Sequence, residues 1–133
     1  MKPRRSGTGR TCLRQLGEDL LLQKLFRLLP TGNRVVRGSG DDVAIVAGSR
    51  SGELLVLKTD CVVEGVHFKR STAPPAVGWK AMMRTLSDFA AVSALPEFAL
   101  VTLVISGSRE TKWVTAVYEG LARAARRFQV SIV

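Results

Sequence analysis

The order of hydrophobic patterns along this chain predicts an α/β domain in which a single sheet carries packed helices. Three observations support that fold class. Apolar residues recur at helical spacing over residues 13–29, 77–94 and 110–128. Short apolar runs fill 43–47, 53–59 and 98–105, and Gly, Ser and Pro punctuate the stretches around them. The resulting order is helix, hairpin, helix, strand, helix, strand, which favours strand-helix-strand units with right-handed crossovers.

Composition sets the outer limits. A chain of 133 residues with 46% hydrophobic content is about one domain and has enough apolar material for a core. No apolar run approaches the roughly 20 residues that span a bilayer. The basic start, Met1 to Arg10, is not followed by the apolar segment of a secretory signal, so the expected location is the cytoplasm, with no membrane partner. Cys12 and Cys61 match no metal-ligand spacing and read as free buried thiols. The formal charge of +9 invites a nucleic-acid partner, but Lys2, Arg4, Arg5 and Arg10 supply four of the 20 basic residues. What remains, 16 basic against 11 acidic residues, suits anionic ligands in general. Nothing else in the chain resembles a zinc finger, a helix-turn-helix or an aromatic-basic nucleic-acid surface.

Each element has its own local cause. Residues 1–11 hold Gly, Arg, Ser and Thr with almost nothing to bury and read as a disordered tail, leaving 12–133 as the domain. Leu13, Leu16, Leu20, Leu21, Leu25 and Leu28 form one stripe of an amphipathic helix, which Pro30, Gly32 and Asn33 end. Val43 to Ala47 and Glu53 to Thr59 flank the turn Gly48-Ser49-Arg50-Ser51-Gly52 and read as a hairpin. In an antiparallel pair, the start of the first strand lies beside the end of the second. Asp42 and Asp60 therefore come to one edge of the sheet. Trp79, Met82, Met83, Leu86 and Phe89 form the packed stripe of the next helix, with Lys80, Arg84 and Asp88 at or beyond its margin, and Pro96 stops it. A strand over 98–105, a turn at Ser106-Gly107-Ser108, a helix over 110–128 and a last strand over 129–133 complete the order.

Chemistry concentrates in three acids, Asp42, Asp60 and Asp88. A carboxylate at the end of a buried strand, such as Asp60, is costly without a partner. Hard cations such as magnesium take oxygen ligands, commonly one or two carboxylates plus substrate phosphates. Three carboxylates from three segments could hold such ions around a polyphosphate. The same residues also read as a turn acid, a strand-end acid and a solvated helix acid. Gly38 and Gly40 could bring backbone amides to an anion, yet the loop is neither a P-loop nor a dinucleotide fingerprint. His67 is the only histidine, which excludes a histidine-cluster metal site.

Four segments together resemble a known family. They are Gly40-Asp41-Asp42-Val43-Ala44, Thr59-Asp60 through Val63-Glu64-Gly65-Val66-His67-Phe68, Gly78-Trp79-Lys80-Ala81, and Leu86-Ser87-Asp88-Phe89-Ala90-Ala91. In this order they are similar to the N-terminal domain of thiamine-monophosphate kinase, within the superfamily of aminoimidazole ribonucleotide synthetase. The segment from Val63 to Phe68 is what points to the thiamine branch. The resemblance implies that superfamily's N-terminal-domain fold, and ATP-dependent conversion of thiamine monophosphate to thiamine diphosphate. It implies Asp42, Thr59, Asp60 and Asp88 as magnesium ligands, His67 as a contact to thiamine monophosphate and Tyr118 as a nucleotide contact. It also implies a homodimer formed through the sheet.

Departures from the family pattern accompany the match. Lys58 stands where Ser or Thr is often found before Thr-Asp, and Val92-Ser93-Ala94 where Met-Gly-Ala is typical. The family pattern continues beyond Ser131-Ile132-Val133 into a Gly-Gly-Asp-Thr motif and a second domain, so the expectation is an N-terminal part that is inactive alone. Alternatives are another ATP-dependent member of the superfamily, in purine biosynthesis or hydrogenase maturation, and a non-catalytic dimerisation or binding module.

Overall fold

The computed structural model describes residues 13–133. The predicted basic tail over 1–11 and Cys12 lie outside the described residues.

The first predicted helix is divided at Gly17 into α1 (Leu13–Leu16) and α2 (Glu18–Phe26). Gly17 takes φ 79° and ψ 162°, a conformation that glycine adopts without a Cβ penalty and that breaks the helical path. No residue of α2 is fully buried, and Leu20, Leu25 and Leu28 are exposed. The expected docking of this leucine stripe on the core is therefore not realised among the described residues. Phe26 at the end of α2 instead approaches the glycine loop: a Cβ placed on Gly40 would lie 3.6 Å from its ring.

Strands β1 (Val35–Arg37), β2 (Ala44–Ala47) and β3 (Leu54–Leu57) form an antiparallel sheet in the order β1-β2-β3. Ala44 pairs with Leu57 and Ala47 with Leu54, so the predicted hairpin forms in the predicted sense. Its turn is held by the Glu53 carboxylate, which accepts the amides of Ser49 (2.9 Å) and Arg50 (3.2 Å), while Gly52 supplies φ 79°.

Helix α3 (Pro74–Ala91) opens on two prolines, whose missing N–H groups cost nothing at a helix start. It packs against α4 (Thr111–Phe128). Val77, Met82 and Leu86 from α3 meet Val117, Leu121, Ala124 and Ala125 from α4, and Val130 closes the cluster. Both helices carry a buried glycine at the crossing. A Cβ on Gly78 would land on the Val117 carbonyl and 2.8 Å from the Leu121 amide, and one on Gly120 would land on the Pro75 carbonyl. Glycine at these positions lets the two backbones touch.

Strands β4 (Phe98–Ala99) and β5 (Ser131–Ile132) pair in parallel on either side of α4, the expected strand-helix-strand unit. The α/β class is as predicted, with its ladders in two pieces of sheet where one was expected. The strand predicted over 98–105 is laddered only at Phe98–Ala99. From Leu100 onward no strand neighbour lies among the described residues, and Leu100 and Val104 are 86% and 91% exposed. Among the described residues no helix is long and apolar enough to cross a membrane.

Candidate functional site

The hairpin register positions the first two acids. Ala44 faces Leu57 at the end of the ladder. Continuing that register outward sets Val43 beside Lys58 and Asp42 beside Thr59. Val43 is buried, which pins the approach to Asp42, while Asp41 is taken up locally by Arg37 at 3.2 Å and by the Asp42 amide at 2.8 Å. The Asp42 carboxylate is left free of that turn.

Helix α3 supplies the third acid and two bases. Lys80, Arg84 and Asp88 recur every four residues and so share one face of the helix. Two residues of that face reach the segment that follows β3. Lys58 Nζ donates to Asp88 Oδ2 at 2.8 Å, with side chains 15% and 28% exposed. Arg84 grips Asp60 with two hydrogen bonds, Nε to Oδ2 and a terminal nitrogen to Oδ1, each 3.1 Å. Asp60 Oδ1 also accepts the Cys61 amide at 2.6 Å.

These contacts set the electrostatics. The hydrogen bond to Asp88 raises the Lys58 pKa above the usual lysine value; desolvation opposes it, and the charges of Asp88, Asp60 and Asp42 add to the rise. For Asp60, desolvation pushes upward and is the largest single influence. The Arg84 hydrogen bond, the Cys61 amide and the charges of Arg84 and Lys58 together outweigh it and leave the carboxyl below the usual aspartate value. Asp88 therefore pairs directly with the Lys58 ammonium, and the charges of Asp60 and Asp42 act on it at longer range.

Lys58 and Arg84 link Asp88 and Asp60 across the junction between α3 and the segment after β3, and the charge of Asp42 also acts on Lys58. The three acids do not form a cage: among the described residues no three His, Cys, Asp or Glu side chains lie close enough to hold one metal ion. An all-oxygen donor set of separated carboxylates still fits a hard cation that completes its shell with phosphate oxygens and water. Thr59 is exposed beside Asp60.

His67 sits in a compact loop. Gly65 takes φ 81°, its amide donates to the Phe68 carbonyl at 2.8 Å, and the His67 amide donates to the Val63 carbonyl at 2.8 Å. His67 Nδ1 accepts the Val63 amide at 3.0 Å, so in the neutral ring Nε2 carries the proton. Lys80 donates to the His67 carbonyl, tying the loop to α3. Glu64 pairs with Arg109, which lies 4.6 Å over the Trp113 ring, and Phe68 stacks on Trp113 at 6.4 Å. An open cleft of about 770 Å³ beside this anchor is lined by Arg70, Ser108, Arg109, Lys112 and Trp113 among others. Tyr118, on α4, is 39% exposed, and no described contact joins it to the acids.

Sequence reasoning missed Lys58, Arg84 and the Arg109–Trp113 anchor as members of the site. The four-residue spacing of Lys80, Arg84 and Asp88 was the available signal. Cys61, expected to be buried, is exposed in the segment that follows β3.

Residues 40–133 match the family model for AIR synthase related protein, N-terminal domain. The chain belongs to this family. The matched span of the AIR synthase related domain contains Asp42, Thr59, Asp60, His67, Asp88 and Tyr118. The chain is 36% identical over 122 residues to thiamine-monophosphate kinase of Synechococcus elongatus, covering 91% of this chain and 36% of that protein. With thiamine-monophosphate kinase of Aquifex aeolicus it shares 37% identity over 121 residues, covering 91% and 37%. A solved structure described as AaThiL complexed with AMPPCP and TMP superposes with a TM-score of 0.80 at 36% identity, over 96% of this chain and 38% of that one. This AIR synthase related chain spans little more than a third of the length of these curated relatives.

Proposed function

We propose that this chain is the N-terminal part of a cytoplasmic, ATP- and magnesium-dependent kinase that converts thiamine monophosphate to thiamine diphosphate. The observation that supports the proposal is the pairing of Lys58 with Asp88 and of Arg84 with Asp60, with the charge of Asp42 also acting on Lys58, inside the span matched to the family. The kinship to thiamine-monophosphate kinases, and to a structure with AMPPCP and TMP, names the substrates.

The chemistry suits these residues. The attacking group is a phosphate oxygen already ionised near neutral pH, so no strong general base is required. The barrier lies in bringing two polyanions together, and bound magnesium ions supply the charge that reduces it. Asp42, Asp60 and Asp88, with Thr59 beside Asp60, are the residues that would hold those ions. His67, whose Nδ1 is occupied by the Val63 amide, keeps Nε2–H as a donor for the phosphate of thiamine monophosphate. Tyr118 is assigned to the nucleotide. Two copies pair through the sheet that contains β3. Because the chain covers 36% of the Synechococcus relative, the rest of the catalytic machinery is assigned to the part not matched, and the chain alone does not turn over.

The test joins this chain to the unmatched remainder of the Synechococcus relative. The fusion is expected to form thiamine diphosphate from ATP and thiamine monophosphate only with magnesium. Asp60→Asn is expected to lower kcat/KM by more than about tenfold, or about 1.4 kcal/mol of barrier. A smaller loss removes Asp60 from the role assigned to it, and product formation without any divalent cation overturns the magnesium assignment.

A further inference from the structure

Lys58 stands where the family resemblance leads one to expect serine or threonine, and its position is not that of a solvated surface lysine. Its side chain is 15% exposed, and its Nζ lies 2.8 Å from Asp88 Oδ2. Asp60 and Asp42 act on the same ammonium from the adjoining strand ends. Arg84 is placed differently, being fully engaged with Asp60 through its paired hydrogen bonds. An ammonium paired with a carboxylate, and within reach of the charge of two more, offsets that charge as a bound cation does, but it cannot dissociate. It also fills one of the directions from which Asp88 could coordinate a metal.

We propose that Lys58 is a tethered cation of the acidic cluster, which replaces part of the divalent charge that Asp42, Asp60 and Asp88 would otherwise recruit. This rests on the reading of those acids as a cation site. Charge held by the chain itself makes part of the neutralisation independent of the free magnesium concentration. Replacing Lys58 with an uncharged residue releases Asp88 and deepens the negative potential of the cluster, so divalent ions should bind more tightly.

The test is titration with Mn2+ alone, followed by the electron paramagnetic resonance signal of the free ion, on the chain and its variants. Lys58→Thr is expected to bind Mn2+ about tenfold or more tightly than the parent chain, about 1.4 kcal/mol. Lys58→Arg, which keeps the charge, is expected to bind like the parent. Arg50→Ser removes a charge from the exposed turn at the far end of the hairpin and is expected to change nothing. Adding Asp88→Asn to Lys58→Thr is expected to abolish the gain. Circular dichroism verifies folding, and Lys58→Met, which keeps the length of the stem, replaces the threonine variant if that one unfolds. Equal binding by the parent and the uncharged variant overturns the role of Lys58 and leaves the cation site standing. An equal gain from Arg50→Ser reduces the effect to net charge and also overturns it. Failure of the parent and of every variant to bind Mn2+ overturns the role of Lys58 as a substitute for bound divalent charge.

Discussion

Asp60 accepts more hydrogen bonds than either of the other two acids. It receives two bonds from Arg84 and one from the Cys61 amide, and its side chain is only 17% exposed. Its folded pKa lies below the usual aspartate value, so the folded state binds its proton less readily than the unfolded chain does. The stabilisation is therefore present above the unfolded aspartate pKa of about 3.9, and is lost as pH falls from there through the folded value. Urea denaturation of the chain and of Asp60→Asn is expected to show a clear difference in midpoint at neutral pH that shrinks toward zero in strong acid. A difference that is unchanged across this range removes the ionised pair as its source. Lys58 has the opposite sign: its raised pKa gives stability that is complete below the ordinary lysine range and lost as pH rises through the folded value.

At the scale of elements, α3 ends in a way that clarifies one departure from the family pattern. Ser93 takes φ 56°. Its amide donates to the Ala90 carbonyl at 3.2 Å, and that of Ala94 to the Phe89 carbonyl at 2.9 Å, the paired bonds of a Schellman termination. The position that follows such a helix end favours glycine, the residue the family resemblance leads one to expect there, because a Cβ in left-handed backbone costs roughly 1–2 kcal/mol. Ser93→Gly is expected to stabilise the chain by about 0.5–1 kcal/mol once the greater freedom of glycine in the unfolded state is deducted, read as a higher urea midpoint. A lower midpoint would show that the serine side chain makes a compensating contribution. Gly78 illustrates the complementary case, a motif residue whose role is backbone contact between α3 and α4.

Across the whole molecule, apolar surface is unevenly covered. The core lies between α3, α4 and Val130, while Leu54, Leu55 and Leu57 of β3 are exposed on the edge strand of their sheet. Unpaired edges with apolar side chains invite pairing with another chain. This supports the proposed association of two copies. Sedimentation equilibrium is expected to show a concentration-dependent dimer, and Leu55→Lys is expected to weaken it by about tenfold or more. A chain that stays monomeric at all concentrations, or a dimer indifferent to the substitution, would remove β3 from the interface.

By itself the sequence determined the α/β class, the hairpin, both long helices and the family. These follow from local periodicity, from Pro and Gly at element ends, and from motifs of a few adjacent residues. It was less informative where an element depends on distant partners, as with the leucines of α2 and the residues after Ala99. Only the tertiary structure decided which charges the acids meet. Arg84 and Asp60 are 24 residues apart in the chain, and Lys58 meets Asp88 only because the polar face of α3 lies against the segment that follows β3. Strand register could place Asp42 and Asp60 at one edge, and the family resemblance joined Asp88 to them. The ammonium that pairs with Asp88 became visible only from the tertiary arrangement of the segment after β3 and α3, which is a property of packing rather than of any one segment.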